Sequence, residues 1–237
     1  IPESSKALGL LSVFLSRTLC SAVTVWLMFE VKTQSLLKLG KPKPDCRNVL
    51  PFFLVALNNI PFFALFSGSA WISKDVNFGI AVSYALACLG GVILEETAFR
   101  GLVFPVILRK FKDKENGVFL SVFLSSLFFG LTHIVNLFGG ASIGSVVMQV
   151  GYSFLVGGMC ATALYFTGNI YCPVALHFIY NIGGLATGYG IIEGSIWTTA
   201  QIVATAVVAI AVFVFTVIVL TKAKNPDICE PDLQIPS

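Results

Sequence analysis

Of the 12 acidic residues in this chain, only two, Glu95 and Glu96, stand well inside an apolar run. They belong to GGVILEETAFRG, residues 90–101, which also holds Arg100. The only two histidines, His133 and His177, fall in two further apolar runs. An ionisable side chain near a bilayer centre costs about 2.5–3.5 kcal/mol or more, so such residues mark function by default. Three separate runs each contribute such groups.

Their spacing divides the labour. Glu96 and Arg100 are i,i+4 with the acid first, the favourable order for an intrahelical pair. Glu95 leaves the same helix about 100° away and has no intrahelical cation. Phe129 and His133 are i,i+4, and so are His177 and Asn181, which puts an imidazole and an amide on one helical face. A carboxylate and an imidazole can hold and deprotonate a water. A second imidazole and an amide can donate hydrogen bonds to a developing oxyanion. This set suffices for amide hydrolysis without a covalent intermediate. A nucleophilic route has less support, since no cysteine is adjacent in sequence to either histidine. Two histidines and a glutamate match one catalytic zinc set, but HExxH is absent and the groups come from three runs. The preferred reading uses no metal and no cofactor.

The elements that position these groups are written in the composition. The 237 residues are 56% hydrophobic and only 11% charged, with 21 Phe and a mean hydropathy of +0.87. Soluble domains average about 25% charged residues, so an all-α polytopic membrane bundle is expected. The net charge of +3 is too small to suggest nucleic-acid binding. The cysteines at 20, 46, 88, 160, 172 and 229 show no metal-type spacing and read mainly as small hydrophobes. A spanning helix needs about 20 apolar residues. Seven segments qualify, near 8–29, 50–72, 78–106, 117–138, 145–166, 169–189 and 195–221. Pro105 is expected to break the third, with an interfacial turn around 104–116. One transmembrane domain over 1–221 and a polar tail over 222–237 complete the expectation.

Cations set the orientation. Lys32, Lys38, Lys41, Lys43 and Arg47 crowd the first loop, and Arg109, Lys110, Lys112 and Lys114 the third; Lys222 and Lys224 follow the last segment. By the positive-inside rule these alternate loops and the C-terminus are cytoplasmic. Only Lys6 and Lys74 fall on the opposite side. A helix preceding Ile1 would place both termini in the cytoplasm, and that arrangement is favoured.

EETAFR (95–100), FGLTH (129–133) and HFIYN (177–181) match EExxxR, FxxxH and HxxxN in order. With these motifs the chain resembles the CPBP family, the ABI or type II CAAX-protease family of intramembrane glutamate proteases. The resemblance implies an eight-helix bundle with the motifs on helices four, five and seven. Here they fall on segments three, four and six, as one further helix before Ile1 would explain. It also implies that Glu95 and His133 activate the water. His177 and Asn181 would form the oxyanion hole, and Glu96 and Arg100 would support the site, with Glu96 able to assist. The implied partners are a lipid bilayer and a peptide or lipidated protein substrate, of CAAX type or like a pheromone or bacteriocin. Short loops resemble compact bacterial members, which points to a bacterial cell membrane.

Two alternatives stand beside the protease. One is a non-catalytic member of the same fold that binds a peptide or a membrane-protein partner as an immunity or scaffold protein. The other is a small transporter or channel, which calls for polar residues along a through-path that the outer half hardly supplies. Asn58, Asn59 and Gln149 read as interhelical hydrogen bonders or cavity liners. Arg17, in the middle of the first segment, either meets a substrate carboxylate, snorkels, or pairs structurally.

Overall fold

The structure, a computed structural model, describes residues 3–39 and 44–223. In order it comprises α1 (Glu3–Glu30), α2 (Leu50–Asn58), α3 (Phe62–Phe66), β1 (Ala70–Ile72), α4 (Phe78–Ala98), α5 (Phe104–Phe111), α6 (Gly117–Thr132), α7 (Ile143–Thr167), α8 (Tyr171–Gly184), β2 (Ile192–Gly194) and α9 (Thr199–Thr221). A π-helical turn, Phe99–Val103, joins α4 to α5, and a 3-10 turn, His133–Leu137, follows α6. The all-α class holds. Among the described residues, five helices are long and apolar enough to cross a membrane: Ser4–Glu30, Phe78–Phe111, Gly117–Leu137, Ile143–Thr167 and Thr199–Thr221. They expose large apolar side chains, such as Leu15, Leu19 and Trp26 on α1 and Val203, Val207 and Ile210 on α9. This is the surface of an integral membrane protein, on which lipid replaces water.

Two of the seven expected segments differ from a single spanning helix. Residues 50–72 break between α2 and α3, because Pro61 lacks an N–H and pushes Ile60 out of the helical region. The second, 169–189, yields the 14-residue α8, about 21 Å long against a hydrocarbon core of about 30 Å. The sequence also gave no warning of a sheet. β1 and β2 pair antiparallel, with Ala70 opposite Gly194. Glu193 in β2 accepts hydrogen bonds from Ser73 Oγ (2.6 Å) and Trp71 Nε1 (3.2 Å), which hold its carboxyl below the usual carboxylate range.

The helices gather into two compact units. One holds the chain up to Val23, Leu50–Glu95 and Val174–Val212. Its core includes Leu10, Ala64, Ile80, Tyr84, Cys88 and Ala186. The other holds Thr24–Val49, Glu96–Pro173 and the chain from Phe213. Its most extensive helix contact is α6 on α7. There a Cβ at Gly130 would lie 2.8 Å from the Val150 carbonyl oxygen, and one at Gly157 3.1 Å from Ser126 Cα. Small residues let these two backbones close up, as is usual between membrane helices.

Contacts between loops follow the cation bookkeeping. In the second unit Arg109 donates to the carbonyls of Val31 (2.7 Å) and Lys32 (3.0 Å) just past the end of α1. The Ile170 N–H donates to Leu36 O (3.0 Å) and the Tyr171 hydroxyl to Leu37 O (2.7 Å). These bonds join three loops that the positive-inside count assigns to one side. In the first unit, Lys6 Nζ donates to Gly190 O (2.9 Å) and β1 pairs with β2, which joins loops assigned to the other side. Lys41, Lys43, Lys224 and Cys229, together with the tail from 224, lie outside the described residues.

Pro105 does not end its helix, which runs on through α5 to Phe111, so the turn falls at 112–116 rather than 104–116. Proline cannot donate to the carbonyl four residues earlier, that of Gly101. The Thr33 hydroxyl donates to this oxygen instead, at 2.6 Å, and the backbone absorbs the defect as a π turn. Replacing Thr33 with Val would leave a buried acceptor unsatisfied, an expected loss of about 1–3 kcal/mol. Thermal unfolding in detergent should show the loss for Thr33→Val and recovery in Thr33→Val/Pro105→Ala, where an N–H returns to the Gly101 carbonyl. A Thr33→Val protein as stable as wild type would contradict this account.

Candidate active site

The two neighbouring glutamates meet opposite environments. Glu96 is fully buried, and its Oε2 lies 3.2 Å from Arg100 Nε, with both side chains at most 1% exposed. Arg100 sits in the π turn, donates from Nη2 to the Gly157 carbonyl (2.9 Å), and lays its guanidinium 4.7 Å from the centre of the Phe129 ring. A buried cation is tolerable only when paired and hydrogen-bonded. Carboxylate, carbonyl and aromatic face supply that. The ion pair read from the i,i+4 spacing is present.

Phe129 passes this order on to His133. Its ring meets Phe99 edge-on (5.0 Å, 72°) and His133 edge-on (5.3 Å, 87°). Its carbonyl oxygen lies 3.1 Å from His133 Nδ1. A carbonyl can only accept, so Nδ1 of the neutral ring carries the proton and Nε2 offers its lone pair. Ser153 Oγ of α7 faces that Nε2 at 3.5 Å. His133 lies just beyond α6, in the 3-10 turn that continues the span Gly117–Leu137. Asn136 in this turn donates to Gln149 Oε1 of α7 (2.8 Å), so Gln149 is an interhelical bonder as expected.

Glu95 lies in the first unit, and its carboxylate is 35% exposed. Its Oε2 is 3.6 Å from Nε2 of His177 on α8, an imidazole that is only 4% exposed. Asn181 follows one turn later on α8. Several contacts fix this helix. The Tyr84 hydroxyl of α4 lies 2.7 Å from the Ile182 carbonyl oxygen and 3.3 Å from that of Asn181. Asn59 donates from Nδ2 to Tyr180 O (2.7 Å), and Asn58 to Thr205 Oγ1 (2.9 Å). Both asparagines therefore bond between helices, as expected. Gly183 packs so closely on the Asn59–Ile60 backbone that a Cβ there would overlap the Asn59 carbonyl.

The structure therefore brings Glu95 together with His177, Glu96 with Arg100, and His133 with Phe129 and Ser153. Thr33, Tyr84 and Ser153 were not singled out from the sequence. Only Ser153 offered a signal there, since it precedes the Gly157–Gly158 pair on α7 by one turn. Residues 77–183 match the family model described as type II CAAX prenyl endopeptidase Rce1-like, and all seven residues of the three motifs fall within the match. No curated protein and no solved structure gives a significant match.

The two carboxylates should respond differently to removal. Glu96→Gln leaves Arg100 with an uncompensated charge and should destabilise the fold by about 3–5 kcal/mol. Glu95→Gln should change stability by less than about 1 kcal/mol. Paired denaturation curves of the two variants measure this, and equal losses would refute the division.

Proposed function

We propose that this chain, which belongs to the CPBP (type II CAAX-protease) family, is an intramembrane endopeptidase with Glu95 as the base. The supporting observation is the geometry around Glu95: a partly exposed carboxylate with an imidazole nitrogen 3.6 Å away. An oxygen can sit within about 3 Å of both, the arrangement needed when a base and an oxyanion donor act on one reacting centre.

In this reading Glu95 takes a proton from a water, and the resulting hydroxide adds to the carbonyl carbon of the scissile peptide bond. The new oxyanion accepts hydrogen bonds from His177 Nε2–H and the Asn181 amide. Glu95 then returns its proton to the leaving nitrogen as the C–N bond breaks. The motif pattern adds His133 to water activation, and its Nε2 lone pair suits that role. Glu96 and Arg100 support the site from within the fold. No metal or cofactor takes part. The substrate is a peptide or lipidated protein in the bilayer, of CAAX, pheromone or bacteriocin type. The enzyme is a single transmembrane domain over 1–221 in a bacterial cell membrane, with its 222–237 tail in the cytoplasm.

Glu95→Ala and His133→Ala should each lower cleavage of a cognate peptide at least about a hundredfold, with insertion and folding preserved. Comparing the peptides released by cells carrying wild-type or Glu95→Ala protein identifies the substrate. Biological function that survives both substitutions would instead favour the scaffold reading. Metal analysis tests the rest of the mechanism: stoichiometric metal in purified protein that is lost on His133→Ala would overturn the metal-free route.

A further inference from the structure

Arg17 lies midway along α1 and is half-buried. No side-chain hydrogen bond or ion pair engages it among the described residues. Such a charge at this depth is costly, yet its guanidinium does not snorkel away along the lipid face. It turns inward onto α4, where a Cβ at Gly91 would come within 2.5 Å of Nη1 and 3.5 Å of Cζ. One turn earlier on α1, Phe14 packs on Gly90 just as tightly, with its carbonyl oxygen 3.0 Å from where a Cβ would stand. The Gly90–Gly91 pair thus makes a seat in α4 for the guanidinium.

That seat is on the face of α4 that carries the proposed base. Tyr84, Cys88, Gly91 and Glu95 fall at i, i+4, i+7 and i+11, a single helical stripe. Tyr84 meets the Asn181 and Ile182 carbonyls, and Glu95 meets His177. Along the helix Gly91 and Glu95 differ by about 6 Å. A guanidinium is a planar fork suited to a carboxylate, and an extended peptide covers about 3.3–3.6 Å per residue.

We propose that Arg17 binds the free C-terminal carboxylate of the substrate and so fixes the bond presented to Glu95 a short way, one to three residues, from the chain end. The proposal rests on the protease reading for the role of Glu95, but anion binding at Arg17 can be measured without catalysis. An anionic lipid headgroup offers similar chemistry, but the mid-span depth of Arg17 favours the end of an apolar peptide.

The test uses full-length protein in phosphatidylcholine nanodiscs and a dansyl peptide ending in S-farnesylcysteine and three aliphatic residues, as free acid and as C-terminal amide. Wild type should bind the acid at least about tenfold more tightly than the amide, as expected for a charge-assisted pair. Arg17→Ala should bind both alike, with amide affinity unchanged, and Arg17→Lys should keep part of the preference. Gly91→Ala retains the charge but crowds its seat, and it should also reduce the preference. Equal binding of acid and amide by wild type, no binding of either, or an undiminished preference in Arg17→Ala would each overturn the proposal. A preference abolished by replacing phosphatidylcholine with phosphatidylglycerol would assign the anion to lipid and overturn it as well. If wild type binds selectively but never cleaves, the protease reading fails while the anchor stands.

Discussion

A guanidinium sealed inside a helical bundle constrains everything packed around it, and Arg100 is that group here. Its charge is met by the Glu96 carboxylate, the Gly157 carbonyl and the Phe129 ring. The carbonyl is reachable because Gly157 has no side chain to hold α7 away from α6. The same close contact of α6 and α7 places Ser153 opposite His133, and the ring beneath Arg100 belongs to the residue whose carbonyl fixes the His133 tautomer. Removing the cation would therefore loosen a helix contact and a histidine as well as one ion pair.

A second constraint acts through the backbone. Pro105 deprives the Gly101 carbonyl of its helical donor, and Thr33 takes that oxygen. The π turn that accommodates the change contains Arg100 itself. Such turns add a residue to a helix and re-aim its side chains. The segment that follows α1 thus helps to shape the turn that carries the buried cation.

What could be read from the sequence follows from interaction range. Hydrophobic runs reveal long helices because lipid demands length and apolarity of each residue separately. The Glu96–Arg100 pair was equally legible, being set by helical spacing alone. The break between α2 and α3 had a visible cause in Pro61, but the apolar residues around it kept the run looking continuous. Strands of three residues, Ala70–Ile72 and Ile192–Gly194, are too short for an alternating pattern to register. The Glu95–His177 approach depends on how α8 is seated by Tyr84 and Asn59, which bond to its carbonyls from segments about a hundred residues earlier in the chain, so no local pattern could announce it.

Adjacency of the two glutamates is itself informative. Neighbours on a helix point about 100° apart, so one turn of chain can serve two environments with the same functional group. At position 96 the carboxylate is fully buried against the Arg100 guanidinium. At position 95 it is partly exposed and faces the His177 imidazole. A carboxylate held against a buried guanidinium is fixed by that pairing, while its neighbour in the chain is left to meet a different helix.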